Sequence, residues 1–133
     1  MGGLVIKLAP NERILINGAV IENGDRRTRI SVRTPNAHIL RLKDALHPDD
    51  VTTPVSRVCY VAQLILTGEA DPRDAHPELL VGLEQLSEIF PDPERGAIVD
   101  DAIEFVRKAN YYQALRRLRQ LLAHEAQGPD AGL

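Results

Sequence analysis

The sequence is poor in aromatic residues, with no tryptophan, three tyrosines and two phenylalanines among 133 residues. None of the five lies before Tyr60. The first 59 residues therefore offer no Phe, Tyr or Trp ring on which a nucleobase could stack. Folds that bind single strands through an aromatic platform, such as the RRM and cold-shock folds, do not fit this part of the chain.

The chain also has only one cysteine, Cys59. A single cysteine excludes an internal disulfide framework and fits a reducing compartment. Its spacing with Val55, Ala62 and Leu66 is that of one helical face, so the thiol is expected to be buried and structural.

Residues suited to catalysis or metal binding are equally scarce. The four histidines show no metal-ligand spacing with one another or with Cys59, and there is no glycine-rich phosphate loop. Asp100 and Asp101 are neighbours on a predicted helix, so they cannot both face one point and are expected in solvent. The sequence thus predicts no catalytic residue, no metal site and no cofactor, and we do not expect an enzyme.

Long hydrophobic runs are absent as well. No apolar segment approaches the roughly 20 residues that cross a bilayer. The opening MGGLVIKLAP has too short an apolar stretch for a signal peptide, and Ile6 stands where myristoylation favours Ser or Thr. We therefore expect a cytoplasmic protein that does not engage a membrane.

Charge is present but unevenly distributed. The net charge is −3, yet residues 1–43 carry eight basic and three acidic side chains, a net charge of +5, which leaves −8 for the remainder. Such asymmetry indicates that the front of the chain meets an anionic partner.

The basic segment has the signals of short strands. Asn17-Gly18 and Asn23-Gly24 favour two-residue type I′ turns, because Asn and Gly tolerate the positive φ that both positions need. The runs around these turns predict a meander of about five antiparallel strands at 5–8, 13–16, 19–22, 26–33 and 37–42. We expect residues 1–46 to form a small basic antiparallel β subdomain.

From residue 49 onward the pattern is helical. Thr53 and Asp92 are each followed by proline, as at helix N-termini, and Leu79, Leu83, Leu86 and Phe90 form one apolar stripe. We expect an acidic helical subdomain of about four helices over 49–126 and a flexible tail over 127–133. The predicted fold class is α+β.

Four arginines lie within residues 26–33, directly behind the second turn. Because alternate strand residues share a face, positions 27, 29 and 33 are expected outside and positions 28, 30 and 32 towards the core. Arginine grips phosphate through its planar fork, which favours an RNA-binding role. An ordinary solvated strand face explains the same pattern. The candidate RNA contacts are Arg26, Arg27, Arg29, Arg33, Arg41 and Lys43.

Two regions together carry a family resemblance. The stretch KLAPNERILINGAVIENGDRRTRISVRTPNAHILR and the helical segments TPVSRVCYVAQLIL and NYYQALRRLRQLL resemble the FlbT family of flagellin regulators, over about residues 4–125. The resemblance implies post-transcriptional control through the 5′ untranslated leader of flagellin mRNA, usually by lowering translation or lifetime. It also implies FlaF, and flagellin itself, as protein partners.

The front segment has a second likeness. Its order of short strand, turn, Arg-bearing strand, Pro-containing turn and a strand ending in His or Arg resembles the small RNA-binding protein CsrA. That family binds messenger leaders from strand edges without an aromatic platform. The resemblance implies a CsrA-like β fold for residues 1–46.

An interaction module is the alternative function. In this hypothesis the helices from about residue 93 to 126 bind FlaF or flagellin, and any effect on the mRNA is indirect. An ordinary core helix explains the same residues. A small sheet also needs cover, either from the helices or from a second copy in a homodimer. The candidate partner contacts are Tyr111, Tyr112, Arg116 and Arg119.

Overall fold

The fold consists of five short strands followed by four helices. The structure, a computed structural model, describes residues 4–35 and 37–132, with side chains up to Glu125. The predicted α+β class, with antiparallel strands first and a helical part behind them, is confirmed. The strands are β1 (Leu4–Leu8), β2 (Arg13–Ile16), β3 (Ala19–Glu22), β4 (Thr28–Val32) and β5 (Ile39–Arg41). The helices are α1 (Pro54–Thr67), α2 (Pro72–Ile89), α3 (Pro93–Arg107) and α4 (Tyr111–Gly132).

The strands do not form the predicted meander. They make two small antiparallel sheets, one in which β1 pairs with β4 and one with the order β3-β2-β5. Only β2 and β3 pair as consecutive strands. The prediction of a meander was wrong because it assumed a tight turn between β3 and β4.

The two Asn-Gly pairs behave differently. Asn17 and Gly18 have φ of 50° and 85°, so this pair makes the predicted turn of the β2–β3 hairpin. Asn23 and Gly24 do not have positive φ. The Asn23 amide instead donates to the carbonyls of Ala9 at 2.7 Å and Arg26 at 2.8 Å, which directs the chain towards β1.

Two strands are also shorter than predicted. The Arg26 carbonyl accepts hydrogen bonds from the side chains of Asn23 and Thr28, so it belongs to a local turn and β4 begins only at Thr28. β5 ends at Arg41 because Leu42 begins a short 3₁₀ helix, Leu42–Asp44.

The helix starts follow the capping signals. The Thr53 hydroxyl accepts from the backbone N–H of Ser56 in a capping box, and Asp92 caps α3 through the N–H of Arg95. Gly68 ends α1 with φ of 83°. In the predicted stripe, Leu79, Leu83 and Leu86 are fully buried and Phe90 is partly buried.

Two hydrophobic clusters hold the chain together. The larger lies among the four helices and includes Cys59, which is buried as predicted. The smaller lies between the sheets and contains Ile6, Leu8, Ile14 and Ile39. Tyr112 packs against both clusters. The first turn of α4 therefore covers part of the small core.

The segment between strands and helices is fixed by two side chains. Gln63 of α1 is buried, accepts from the N–H of Leu46 at 2.7 Å and donates to its carbonyl at 3.0 Å. Arg119 of α4 donates to the carbonyl of Asp44 at 2.8 Å. These bonds give partners to partly buried backbone groups of the loop.

The C-terminal part of α4 takes in most of the predicted tail. The helix is continuous to Gly132. The side chains from residue 126 onward lie outside the described residues, so the flexibility of 127–133 stays a prediction. The bounds of the two subdomains also stay predictions.

The contrast between the two glycines is testable. A Cβ at Gly18 would force an L-residue into the left-handed region, whereas Gly24 has neither positive φ nor any atom within 4 Å of a Cβ. We expect Gly18→Ala to lower the free energy of unfolding by about 1 kcal/mol and Gly24→Ala to leave it unchanged or slightly raised. Urea titrations of both variants measure this. Equal destabilisation by the two substitutions would contradict the assigned turns.

Candidate nucleic-acid interface

The outer face of β4 carries one arginine, Arg29, while Arg27 and Arg33 flank the strand. Arg29 and Ser31 are exposed, while Ile30 and Val32 pack against the small core. Thr28 is exposed rather than core-facing. β4 pairs with β1 so that Lys7 lies directly opposite Arg29.

Five cations surround a cavity of about 510 Å³ between the two sheets, which we call the basic groove. Among the described residues that line it, Glu12 is the one acid. Arg26 and Arg33 are exposed but do not line this groove. Four of the six predicted RNA contacts, Arg27, Arg29, Arg41 and Lys43, therefore lie together. Lys7, which the sequence analysis did not select, joins them. The cations of the basic groove are Lys7, Arg27, Arg29, Arg41 and Lys43.

Glu12 organises one wall of the basic groove. Its side chain is only 6% exposed and accepts from the N–H of Ala9 at 2.9 Å and from Arg41 Nη1 at 2.6 Å. Lys43 Nζ lies 3.8 Å from the same carboxylate. Burial opposes ionisation of Glu12, but the hydrogen bonds from Ala9 and Arg41 and the two positive charges outweigh it, so its pKa is lowered.

Arg41 is held by this carboxylate and by the backbone. Its Nη2 donates to the carbonyl of Lys7 at 3.0 Å, so one guanidinium joins β5, β1 and the loop that bears Glu12. Burial opposes its charge, yet the hydrogen bond to Glu12 and the interaction with Tyr112 raise its pKa. Arg41 is therefore a structural cation whose fork is already occupied.

The groove cations other than Arg41 and Lys43 are available to a ligand. Within the part of the chain that the structure describes, the ion pairs include neither Lys7, Arg27 nor Arg29. Three free cations beside a concave surface suit an anion with several phosphates, because each phosphate can take charge-assisted hydrogen bonds.

Of the four predicted partner contacts on α4, Tyr112, Arg116 and Arg119 line one crevice, whereas Tyr111 does not. Tyr111 is 5% exposed, and its hydroxyl lies 2.8 Å from His76 Nδ1, so it is a core residue; burial raises its pKa. Arg119 is engaged with Asp44. Tyr112 is half-buried and Arg116 is exposed. The crevice of Tyr112, Arg116 and Arg119 is also lined by Arg41. Because Arg41 belongs to the basic groove as well, the cations of α4 adjoin that groove.

Other chemistry has little support in the described residues. Burial raises the pKa of the Cys59 thiol to about 12, which leaves it protonated and unreactive. No group of three or more His, Cys, Asp or Glu side chains with metal-binding geometry occurs in the described part of the chain. Across the same residues, no helix combines the length and apolarity that a bilayer crossing requires.

Fold and groove together define a small α+β protein with a cationic groove at the junction of two sheets. Its sequence matches the family described as flagellar protein FlbT over residues 4–128, and the chain belongs to this family. The predicted family resemblance is confirmed.

Relatives cover nearly the whole chain. The flagellum biosynthesis repressor protein FlbT of Caulobacter vibrioides is 31% identical over 125 residues, which is 92% of this chain and 86% of that protein. A protein named probable flagellum biosynthesis repressor FlbT from Rhodopseudomonas palustris is 33% identical over 123 residues, 92% of this chain and 94% of its own. No solved structure matches the chain, so the CsrA-like likeness remains a prediction.

The contribution of Glu12 gives a pH-dependent prediction. Its folded pKa is lowered, so its stabilisation is present above the unfolded pKa and is lost as pH falls through the folded pKa. We expect Glu12→Gln to lower the free energy of unfolding at pH 7 by about 2 kcal/mol, since it weakens charged hydrogen bonds. The variant should also lose less stability than wild type on acidification.

Glu22→Gln is the matched control for this measurement. Glu22 pairs with Arg13 at 3.0 Å, but both side chains are more than half exposed. A surface pair of this kind contributes little, so the control should unfold like wild type. Denaturant titrations at acidic and neutral pH measure the free energy of unfolding of both variants. Equal effects of the two substitutions would contradict a special role for Glu12.

Proposed function

We propose that this protein regulates flagellum biogenesis after transcription, by binding the 5′ untranslated leader of flagellin mRNA in the cytoplasm. It represses translation of the message or promotes its decay, and it acts by binding rather than by catalysis. Membership of the flagellar family and the names of the relatives support the flagellar role. The basic groove, with three cations outside the ion pairs of the described residues, is the observation that supports RNA as the ligand.

The groove suits recognition through the phosphate backbone. Lys7 and Arg29 stand opposite each other across the β1–β4 ladder, and Arg27 shares their cavity. Cβ atoms of directly opposed strand residues lie roughly 5 Å apart, so adjacent cations can contact the same or neighbouring phosphates of one strand. Binding of this kind is electrostatic and releases counterions from the RNA.

In this proposal the paired cation Arg41 and the unpaired cations Arg27 and Arg29 have different roles. Arg41 is tied to Glu12 and the Lys7 carbonyl, so it shapes the wall and adds to the positive field. Arg27 and Arg29 have free planar forks for bidentate phosphate contacts. Removing Arg41 should therefore harm folding first, whereas removing Arg27 and Arg29 should harm RNA binding without unfolding the chain.

The RNA proposal is tested by a salt series. We expect Arg27→Ala with Arg29→Ala to weaken binding to a labelled flagellin leader. The variant should make the slope of log affinity against log salt shallower by about 1.4, since each lost contact to a single strand removes about 0.7. The measurement is fluorescence anisotropy between low and physiological salt.

A control of equal charge separates the groove from a general electrostatic effect. Arg73→Ala with Arg107→Ala removes two exposed helical arginines, which pair with Asp71 and Glu104. This control should keep the wild-type slope. Equal loss of slope in both double variants, or no binding of the leader by wild type, would overturn the assignment.

A second function, as an adaptor for FlaF or flagellin, is supported by a surface between α1 and α2, away from the basic groove. A cavity of about 300 Å³ lies between α1 and α2, and Val81 and Ile89 on its border are 54% and 48% exposed. Gly82 allows the close approach here, because a Cβ would lie 3.0 Å from Val58. An apolar groove between helices suits an amphipathic helix of a partner.

The adaptor function predicts a different sensitive residue from the RNA function. We expect Val81→Asp to weaken binding to FlaF or flagellin by about tenfold, as charging an apolar anchor costs more than 1 kcal/mol. RNA binding should be unchanged. Val20→Asp, at a residue 62% exposed on β3, is the control. Calorimetry with purified partners measures both, and an unaffected Val81→Asp variant would exclude this groove.

A further inference from the structure

A second cavity, of about 340 Å³, lies where the end of β4 meets the start of α4; we call it the junction cavity. Its apolar lining includes Leu4 and Val32, which pair at the end of the β1–β4 ladder. Aromatic rings of His38, Tyr111 and Tyr112 also line it. The cavity volume is at the lower end of small-molecule sites, roughly 300 to 1,000 Å³, which suits a single ring system.

Contacts hold the ring of Tyr111 and the backbone of His38 in place. Tyr111 meets His38 and His76 edge to face, with centroids 6.4 and 6.0 Å apart. Its hydroxyl is bonded to His76 at 2.8 Å. The backbone of His38 is bonded to Asn17 in both directions, its N–H donating to Oδ1 at 2.9 Å and its carbonyl accepting at 2.8 Å. Fixed rings lose little conformational entropy when a planar ligand binds.

Polar groups surround the apolar lining. The amide side chains of Asn110 and Gln113 line the junction cavity together with Lys108. Ala109, between Lys108 and Asn110, has φ of 57°. This left-handed conformation costs an alanine about 1 kcal/mol. Backbone strain of this kind concentrates at ligand sites, and here it turns the chain from α3 into α4 at the cavity. Amides can hydrogen-bond the edge of a base, and Lys108 can contact an adjoining phosphate.

The junction cavity is within reach of the basic groove along one sheet. Leu4 and Val32 pair beside the cavity, and Lys7 and Arg29 pair beside the groove, three residues away along each strand. This separation is about 10 Å, and because positions three apart point to opposite faces of a strand, a single RNA strand would pass the edge of the sheet to reach both sites. Arg33 lines neither the groove nor the cavity, but it is exposed and stands in the chain between Val32 and Thr34, which both line the cavity.

We propose that the junction cavity receives one unstacked nucleobase of the RNA whose phosphates occupy the basic groove, with His38 and Tyr112 contacting its ring. This inference rests on the proposed RNA-binding function. It supplies a base-reading site that the aromatic-free strands lack, because α4 brings its tyrosines to the sheet. It also gives Arg33 a role outside the groove, on the phosphate next to the inserted base.

The test compares two single strands of equal length and charge, an oligoribonucleotide from the flagellin leader and its abasic counterpart. We expect wild-type protein to bind the base-containing strand about tenfold more tightly, in the range of one aromatic–base contact. His38→Ala should remove most of this preference while leaving the affinity for the abasic strand and the salt slope unchanged.

His47→Ala is the matched control, since His47 is exposed and lies outside both cavities. It should keep the full preference, and thermal unfolding of each variant confirms that the fold is intact. Equal binding of both strands by wild type, with a normal salt slope, would overturn the base site and leave RNA binding standing. Full preference in His38→Ala would also overturn it. Binding of neither strand would overturn both proposals.

Discussion

The ion pair between Glu12 and Arg41 is the contact on which the strand region depends. One guanidinium bonds a carboxylate in the β1–β2 loop and a carbonyl of β1 while it belongs to β5. It therefore ties together two sheets that share no strand ladder. The Glu12 carboxylate is nearly buried, so its charge needs this partner: a buried carboxylate without a cation would be strongly destabilising.

The same pair decides which cations remain for a ligand. Arg41 and Arg119 each join distant segments, through Glu12 and Asp44, and each also donates to a backbone carbonyl. Lys7, Arg27 and Arg29 line the basic groove with Arg41 but have no such bonds among the described residues. The positive field of the basic groove thus comes from paired and unpaired cations together, and the unpaired ones keep their N–H donors for an anion.

Packing against the helices buries apolar surface that the two small sheets would otherwise expose. Four buried residues form the small core, which is too little apolar surface for an independent domain. Leu40 of β5 enters the helical core, and Tyr112 packs against both clusters. Because these contacts place the start of α4 against the end of β4, the junction cavity is a product of the packing between the two parts.

Sequence alone determined the features that depend on neighbouring residues. These are the helix caps at Thr53 and Asp92, the turn at Asn17-Gly18 and the outward arginine at position 29, each set by local hydrogen bonding, by φ or by alternation along a strand. It also located the basic charge in the first 43 residues.

Only the tertiary structure decided how distant segments meet. The pairing of β1 with β4 placed Lys7 in the groove, the bonds of Asn23 to Ala9 and Arg26 replaced a hairpin turn, and burial removed Tyr111 from the accessible surface. Glu12 likewise gains its role only when Arg41 approaches across 29 positions of the chain. Such contacts follow from the packing of the whole chain, which no short window of sequence specifies.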